Sequence, residues 1–532
     1  MGITSRYVAV GTAISRPARP AAGAAGERVR SLLGDPALVG VAALTVLGAA
    51  LRFYRLAHQG FWFDEANTAL LVHFSPGKML GLIPQTESTP PLYYCIAWVW
   101  ARVFGYGEAG LRSLSALLGV AAVPVAYGAG AKLISRRAGL IAAALTACNP
   151  LLIWYSQEAR SYEMLLFFSS VSLLAFAYAR DRPTPRALAA WVIASALALA
   201  THYYALLAVV PEAIWLLAIH RRRRPAQIAV GIVALCGLAL IPLAISQNGT
   251  GRANWIAHSA LGRRLKEIAP QFVIGFGAPA YGVLEPVALA IAIFALVLML
   301  TRSAPLERRG ALVAGALALA GLALNLALIA GGVDDLITRN VLAIWMPAAL
   351  AVAAGLAARR ARLVGLAAAV VLCAIGIFAT VGVAVDRSLQ RPDWRGVART
   401  LGPRPTAAVL SSGGRAILIQ HYRDLLPLSL NLPGLKFMRG KGAAVSELDV
   451  VSFTSPTSAG FCWWGSACNL WPSRMQRAYS FHGLRTVWRR RVYQFTVLHM
   501  VATHNPVFLS PETVSRALRT TRLRNDELLI QR

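Results

Sequence analysis

The stretch "FWFDEANTALLVHF" (61–74) sets two carboxylates, Asp64 and Glu65, directly behind three aromatic residues. Adjacent residues on a helix point about 100° apart, so the two are poorly placed to share one salt bridge. Lys78 is the only lysine or arginine between 57 and 101. Crowding two carboxylates at an apolar boundary favours a raised pKa for at least one member of the pair. A general base works best with a pKa near the operating pH, which makes the pair a candidate for taking a proton from a hydroxyl. The same residues would also serve as solvated side chains, or as the N-terminal cap of the helix that follows.

Three further stretches carry chemistry of a related kind. "YSQEARSYEM" (155–164) holds Glu158, Arg160 and Tyr162. Its guanidinium suits a phosphate, although a Glu–Arg pair closing a membrane span accounts for it equally. "THYY" (201–204) sets His202 beside Tyr203 and Tyr204, as a hydrogen-bonding wall or as an interfacial aromatic belt. Arg339 lies in "GGVDDLITRN", where Asp334, Asp335 or a lipid phosphate would serve as its partner. Lys78, Arg252 and Trp255 are weaker candidates of the same type. Together these stretches offer carboxylates, cations and aromatics to a substrate that is itself a phosphorylated lipid.

The elements that must position them are membrane spans. The chain has 532 residues, 57% of them hydrophobic and 14% charged, against roughly 25% charged in soluble domains. A hydrocarbon core about 30 Å thick needs about 20 apolar helical residues. Eleven runs approach this, near 36–56, 113–133, 138–155, 161–179, 187–201, 204–219, 226–245, 281–300, 310–331, 340–357 and 363–385. The run "PPLYYCIAWVWARVFG" (90–105) is ambiguous by hydropathy, and charge decides it. With this run as a surface helix, every strongly basic loop falls on one side. Those loops are Lys132/Arg136/Arg137, Arg180/Arg182/Arg186, Arg221 to Arg224, Arg302/Arg308/Arg309 and Arg359/Arg360/Arg362, sixteen cations in all. The positive-inside rule makes that side cytoplasmic. Segments 57–112, 156–161, 201–204, 246–280 and 332–339 then share the outer side, and the polar, non-basic residues concentrate in them.

Three parts follow from this reading. Residues 1–35 form a basic cytoplasmic segment without an apolar leader core, so that the first span acts as an uncleaved anchor. Residues 36–385 form a polytopic all-α membrane domain with interfacial helices in the first outer loop. Residues 386–532 hold 21 basic and 8 acidic residues and show strand-like alternation in "TAAVLSS", "LDVVSF" and "RVYQFTVLHMV". "GGRAILIQHYRDL" reads as a helix, and the segment as a small extracytoplasmic α/β domain. A net charge of +30 would point to nucleic acid in a soluble protein; here it follows topology, which argues against that partner. Of six cysteines, Cys148, Cys236 and Cys373 fall within apolar runs, Cys95 near the membrane surface, and Cys462 and Cys468 are the one plausible disulfide pair.

The order of motifs resembles a known family. "FWFDEANTALL", then "TPPLYY" with its aromatic surface helix, then the run from "LRSLSALLG" to "YSQEARSYEMLL" are similar to the bacterial glycosyltransferases that include protein O-mannosyltransferases and the aminoarabinose transferases of lipid A, of the GT-C fold and family 39-like. The likeness covers about residues 36–215, and "RPDWRGVARTL" (391–401) resembles the segment that opens the soluble tail of many members. The resemblance implies inverting transfer of a mannose- or arabinose-like sugar from a polyprenyl-phosphate donor, on the outer face of the plasma membrane. It implies Asp64 as the base, Glu65 as a residue shaping the site and Glu158 as the second acidic position. Arg160, Arg339 and Lys78, in that order, are the expected phosphate contacts, with His202, Tyr203 and Tyr162 completing the substrate-binding set. Some relatives bind a divalent metal near the acidic pair, but no cofactor is required by these residues. The acceptor is a lipid, a glycan or a protein. A transporter or flippase of a lipid-linked substrate is the alternative; the basic tail also allows a scaffold binding cell-wall polymers, which would leave the carboxylate pair without a purpose.

Overall fold

The computed structural model describes residues 34–402 without interruption and, beyond them, 409, 413–419, 425–432, 434–437, 442–453, 479–493, 495–518 and 528–531. Cys462 and Cys468 lie outside the described residues, as do residues 1–33 and most of "TAAVLSS".

Helix α1 (Pro36–Phe53) is followed by three shorter ones, α2 (Phe63–His73), α3 (Pro76–Thr86) and α4 (Leu92–Phe104). Next come the long α5 (Glu108–Leu133), then α6 (Arg136–Cys148), α7 (Pro150–Ser156), α8 (Tyr162–Asp181) and α9 (Pro185–Thr201). A 3-10 turn at Tyr203–Ala205 leads into α10 (Leu206–His220). The apolar rod of α11 (Arg224–Ala239) and α12 (Ile241–Asn248) precedes α13 (Leu261–Ile274), α14 (Tyr281–Arg302), α15 (Pro305–Ala330), α16 (Trp345–Leu356) and α17 (Arg362–Val385).

Eight segments among the described residues are long and apolar enough to cross a bilayer, and the pair α6 and α7 makes a ninth. The eleven expected spans thus include two, α9 and α16, that are apolar helices of only 17 and 12 residues. The pair α6–α7 bends by 57°. Pro150, at the start of α7, has no N–H to continue the ladder, and the Asn149 side chain accepts the Leu152 N–H at 3.1 Å to begin a new helix. Outward faces are apolar, with Ile228, Leu235, Val283, Ile293, Leu363 and Val370 exposed, as lipid contact requires.

Inside the bundle, small residues let backbones approach. A Cβ on Gly355 of α16 would sit 1.7 Å from the Ala295 carbonyl oxygen of α14, and one on Gly310 of α15 would sit 1.8 Å from that of Leu133. Arg52, Glu163 and Glu212 are among the ionisable side chains buried there. Arg52 donates to Ser156 Oγ and to the carbonyls of Gly48, Thr146 and Ala147, next to Glu163. Glu212 accepts from Ser172 and from Trp191 Nε1.

Helix α4, at 13 residues, is too short to span and buries Tyr93, Tyr94, Ala97 and Ala101 against α2 and α5. Trp98 Nε1 donates to the Phe74 carbonyl and Trp100 Nε1 to that of Gly110, which ties it across the first loop.

After α17 the chain forms α18 (Trp394–Leu401), β1 (Arg415–Ile419), α19 (Leu425–Asn431), β2 (Leu435–Phe437), β3 (Ala443–Val445), β4 (Glu447–Phe453), β5 (Leu484–Val492), β6 (Phe495–Ala502), β7 (Val507–Leu509), α20 (Pro511–Leu518) and β8 (Leu528–Gln531). Six strands make one sheet in the order β2-β8-β1-β4-β6-β5, with β1 and β4 parallel. The helix expected over "GGRAILIQHYRDL" is instead the strand β1. Its Ala416, Ile417 and Leu418 are all buried in the sheet's centre, where an unbroken apolar run fits a strand covered on both faces. Arg415 of β1 and His499 of β6 both reach the buried Asp449 of β4.

Candidate active site

The neighbours Asp64 and Glu65 open α2 and diverge as their helical spacing dictates. Glu65 is fully buried and takes a bidentate pair from Arg112, with Nε to Oε1 at 2.7 Å and Nη2 to Oε2 at 2.6 Å. The Ala159 N–H donates to the same Oε1 at 2.8 Å. Burial works to raise the Glu65 carboxyl, but Arg112 and the other donors more than offset it and hold it below the usual carboxylate range. Arg112 spends its remaining donors on the carbonyls of Leu56, Gln59 and Gly60. The second carboxylate of the pair is therefore a fastener that joins the starts of α2 and α5 to the turn between α7 and α8.

Asp64 stays one-fifth exposed, and its Oδ2 lies 3.2 Å from Arg339 Nη1. Its other carboxylate oxygen accepts no hydrogen bond from the described residues. The Arg339 guanidinium lies over Tyr162 at 5.4 Å and Trp255 at 5.8 Å from the ring centres. Beyond Tyr162 stands His202, with ring centres 5.8 Å apart. Burial, with Arg339 and Arg160 nearby, pushes the His202 imidazole down to about 3, so it is neutral. Its Nδ1 accepts the Tyr204 N–H at 3.2 Å, which leaves its proton on Nε2.

The remaining candidates separate. Arg160 does not stand as an open cation: its guanidinium is bound to Glu87, at 2.9 Å and 3.1 Å, and also reaches Thr68 Oγ1 and the Asp64 carbonyl, both at 3.3 Å. It clamps the start of α2 to the end of α3. Lys78 sits at the other end of α3 with its ammonium over the Phe74 ring, apart from this cluster. Tyr203 donates to Gln247 Oε1 at 2.8 Å, and Gln247 in turn binds the carbonyls of Ile83 and Thr89. Of the weaker candidates, Arg252 donates to the Gln85 carbonyl, and Trp255 shares Arg339. The internal partner foreseen for Arg339 is displaced, because Asp334 is held by Arg264 at 2.7 Å and Asp335 by Tyr204 at 3.2 Å.

Glu158 reaches Arg391 of the linker after α17, Oε2 to Nη2 at 3.1 Å. Burial pushes its carboxyl up to about 7, against the pull of Arg391 and with repulsion from Glu65 and Asp64 adding to the rise. Its Oε1 is buried without a hydrogen-bond partner among the described residues. Among those residues no group of three or more His, Cys, Asp or Glu is placed to hold a metal ion.

Three residues of the site were not foreseen: Glu87, Arg112 and Arg391. Arg391 opens "RPDWRGVARTL", which was quoted for its resemblance, and Glu87 stands two residues before the quoted "TPPLYY". Opposite charges in segments assigned to one side were the available signal. Arg112 is the second residue of "LRSLSALLG", also quoted for its resemblance, where it borders an apolar run.

Residues 88–245 match the family model of dolichyl-phosphate-mannose-protein mannosyltransferases. No curated protein sequence matches the chain. Among solved structures, the chain is similar to ArnT from Cupriavidus metallidurans in the apo state, at 15% identity and a TM-score of 0.51, over 90% of this chain and 98% of that one. The same protein bound to undecaprenyl phosphate aligns at 14% identity and 0.49, over 86% and 97%. The Saccharomyces cerevisiae protein O-mannosyltransferase Pmt1-Pmt2 complex bound to the sugar donor aligns at 16% and 0.29, over 43% of this chain and 34% of that one. The chain is a multi-span membrane protein of the GT-C glycosyltransferase fold, and its segment 88–245 carries the mannosyltransferase family match.

Proposed function

We propose that this protein moves a sugar from a polyprenyl-phosphate donor to an acceptor hydroxyl, with inversion at the anomeric carbon and Asp64 as general base. The observation that carries the reading is the division of labour within the acidic pair. Glu65 is sealed against Arg112, whereas Asp64 keeps one carboxylate oxygen open beside Arg339. In this reading the open oxygen takes the proton from the acceptor hydroxyl as the acceptor oxygen bonds to the anomeric carbon. The bond from that carbon to the phosphate oxygen breaks on the opposite face, and polyprenyl phosphate leaves carrying the electron pair. An anionic leaving group needs a cation rather than a general acid. Arg339 takes that role in place of Arg160, whose charge is matched by Glu87. Tyr162 and His202 wall the sugar.

No metal enters these steps. The reaction is placed on the outer face of the plasma membrane, with the amino terminus cytoplasmic and the 386–532 segment outside. Mannose- and arabinose-like sugars are the first to test. With purified protein, a radiolabelled polyprenyl-phosphate sugar should lose its label to an acceptor. No transfer across a panel of donors, together with movement of the labelled lipid across proteoliposome bilayers, would favour the transporter instead.

A further inference from the structure

Where the linker after α17 meets the C-terminal sheet, a cleft encloses about 1090 Å³. One wall is the Ala57–Gly60 loop, the other the segment 387–402, and Asn431 and Tyr493 close it from the sheet side. Its lining includes none of Asp64, Arg339, Tyr162 or His202. The volume is that of a full ligand site, since such pockets run to roughly 300–1,000 Å³.

Its charge is one-sided. Arg387, Arg391, Arg395 and Arg399 line it, every fourth residue of the chain, and Asp393 is the lining's one carboxylate. Asp393 is already engaged, because its Oδ1 accepts the Gly396 N–H at 2.8 Å as the cap of α18. Two of the arginines are occupied. Arg391 holds Glu158, and Arg395 donates to the carbonyls of Ala57 and His58 with Glu108 3.7 Å from its Nε. The other two, Arg387 and Arg399, are exposed and make no ion pair among the described residues, although Arg387 also lies 5.5 Å over the Tyr493 ring. Partial burial, with Arg55, Arg387 and Arg395 close by, pushes the His58 imidazole down, a second sign of the positive field there. Like charges gathered around a cavity repel one another unless an anion relieves them, and the guanidinium fork matches phosphate geometry.

We infer that this cleft docks a phosphate group borne by the acceptor, at a site separate from the donor's. The name acceptor rests on the glycosyltransferase reading; the binding does not. A phosphate held by Arg387 and Arg399 is not the one attached to the reacting carbon, because the residues around Asp64 do not line the cleft. The cleft nonetheless adjoins that site. Gly60 is four residues from Asp64, and Arg391 joins the lining to Glu158. Two sources share the chemistry, a lipid headgroup beside the end of α17 and a soluble phosphorylated glycan.

The test uses the full chain in an uncharged detergent. Glucose 1-phosphate serves as the soluble probe and short-chain phosphatidic acid as the lipid probe, with neutral phosphatidylcholine as the blank. The double variant Arg387→Gln/Arg399→Gln should weaken probe binding about tenfold or more, the range expected when charge-assisted contacts are lost. Arg485→Gln, on the exposed edge strand β5, should leave it unchanged. Both substituted positions are exposed, and an unchanged melting temperature checks that folding is intact; raising ionic strength should weaken wild-type binding without any substitution. Binding of one probe alone identifies the source. No binding of either probe, or equal binding by wild type and double variant, overturns the proposal. Asp64→Asn separates the two readings, because it should abolish transfer and keep probe affinity. Probe binding without transfer by any form would sink the enzymatic reading alone, whereas transfer with an unchanged acceptor KM in the double variant would sink the docking site alone.

Discussion

Asp64 Oδ2 sits 3.2 Å from Arg339 Nη1, across 275 residues of chain, at a position where both side chains retain some exposure. This contact joins the first outer loop to the segment that precedes α16. It also fixes one carboxylate oxygen and leaves the other without a hydrogen-bond partner among the described residues. Each element around it serves that placement: Arg112 holds Glu65 beneath it, and Arg160 holds the Asp64 carbonyl and Glu87 beside it.

Glu65→Gln should damage folding more than chemistry. It leaves the buried Arg112 guanidinium without its counter-charge, and breaking such a pair from one side costs about 3–5 kcal/mol. Thermal unfolding in detergent should show a large fall in melting temperature for Glu65→Gln and little change for Asp64→Asn. Equal melting temperatures for both would remove the structural role assigned to Glu65.

Glu158 gives a pH signature. Its folded pKa of about 7 lies above the ordinary value of 4.5. Between those values the unfolded chain has lost the proton that the folded chain keeps, so stability falls as pH rises through this window. Glu158→Gln removes the titration. Relative to wild type, the variant's melting temperature should therefore rise between about pH 5 and pH 8. A parallel pair of pH profiles would show that Glu158 does not titrate in that window.

Gly119 of α5 makes room for the buried polar cluster under the site. A Cβ there would meet Ser156 Oγ at 2.2 Å, Arg52 Nε at 2.6 Å and Glu163 Oε1 at 2.7 Å. Overpacking of this kind costs about 1–3 kcal/mol, so Gly119→Ala should lower the melting temperature by several degrees. Gly81→Ala, inside α3 with open space in front of it, serves as the control and should show no fall, only the small rise expected when alanine replaces a helical glycine.

Much of this arrangement was legible in the sequence because membrane solvation imposes simple rules. Hydropathy located every long helix, and the basic loops separated the two ends of the bundle. The segments assigned to one side do meet: 57–112 touches 156–161 through Arg160 and Glu87, 332–339 through Asp64 and Arg339, and 246–280 through Thr89 and Gln247. Partner choice among the charges was not legible. Arg160 and Arg339 looked alike as outer cations, and only the folded positions of the end of α3 and the start of α2 decide that Glu87 neutralises one while Asp64 faces the other. Arg391 was hidden for another reason: it belongs to a linker whose path back over the outer loops leaves no periodicity to read. In the tail, "RAILI" lacks the polar alternation of a half-exposed strand because both of its faces are covered.

The central claim is that Asp64 takes the acceptor's proton. The direct measurement is single-turnover transfer from a polyprenyl-phosphate sugar by purified wild type, Asp64→Asn and Asp64→Glu, with donor affinity and melting temperature recorded for each. Loss of a positioned general base predicts a fall in turnover of about 10²–10⁴-fold for Asp64→Asn, with donor binding and melting temperature close to wild type and partial recovery in Asp64→Glu. Turnover by Asp64→Asn within a few-fold of wild type would contradict the account.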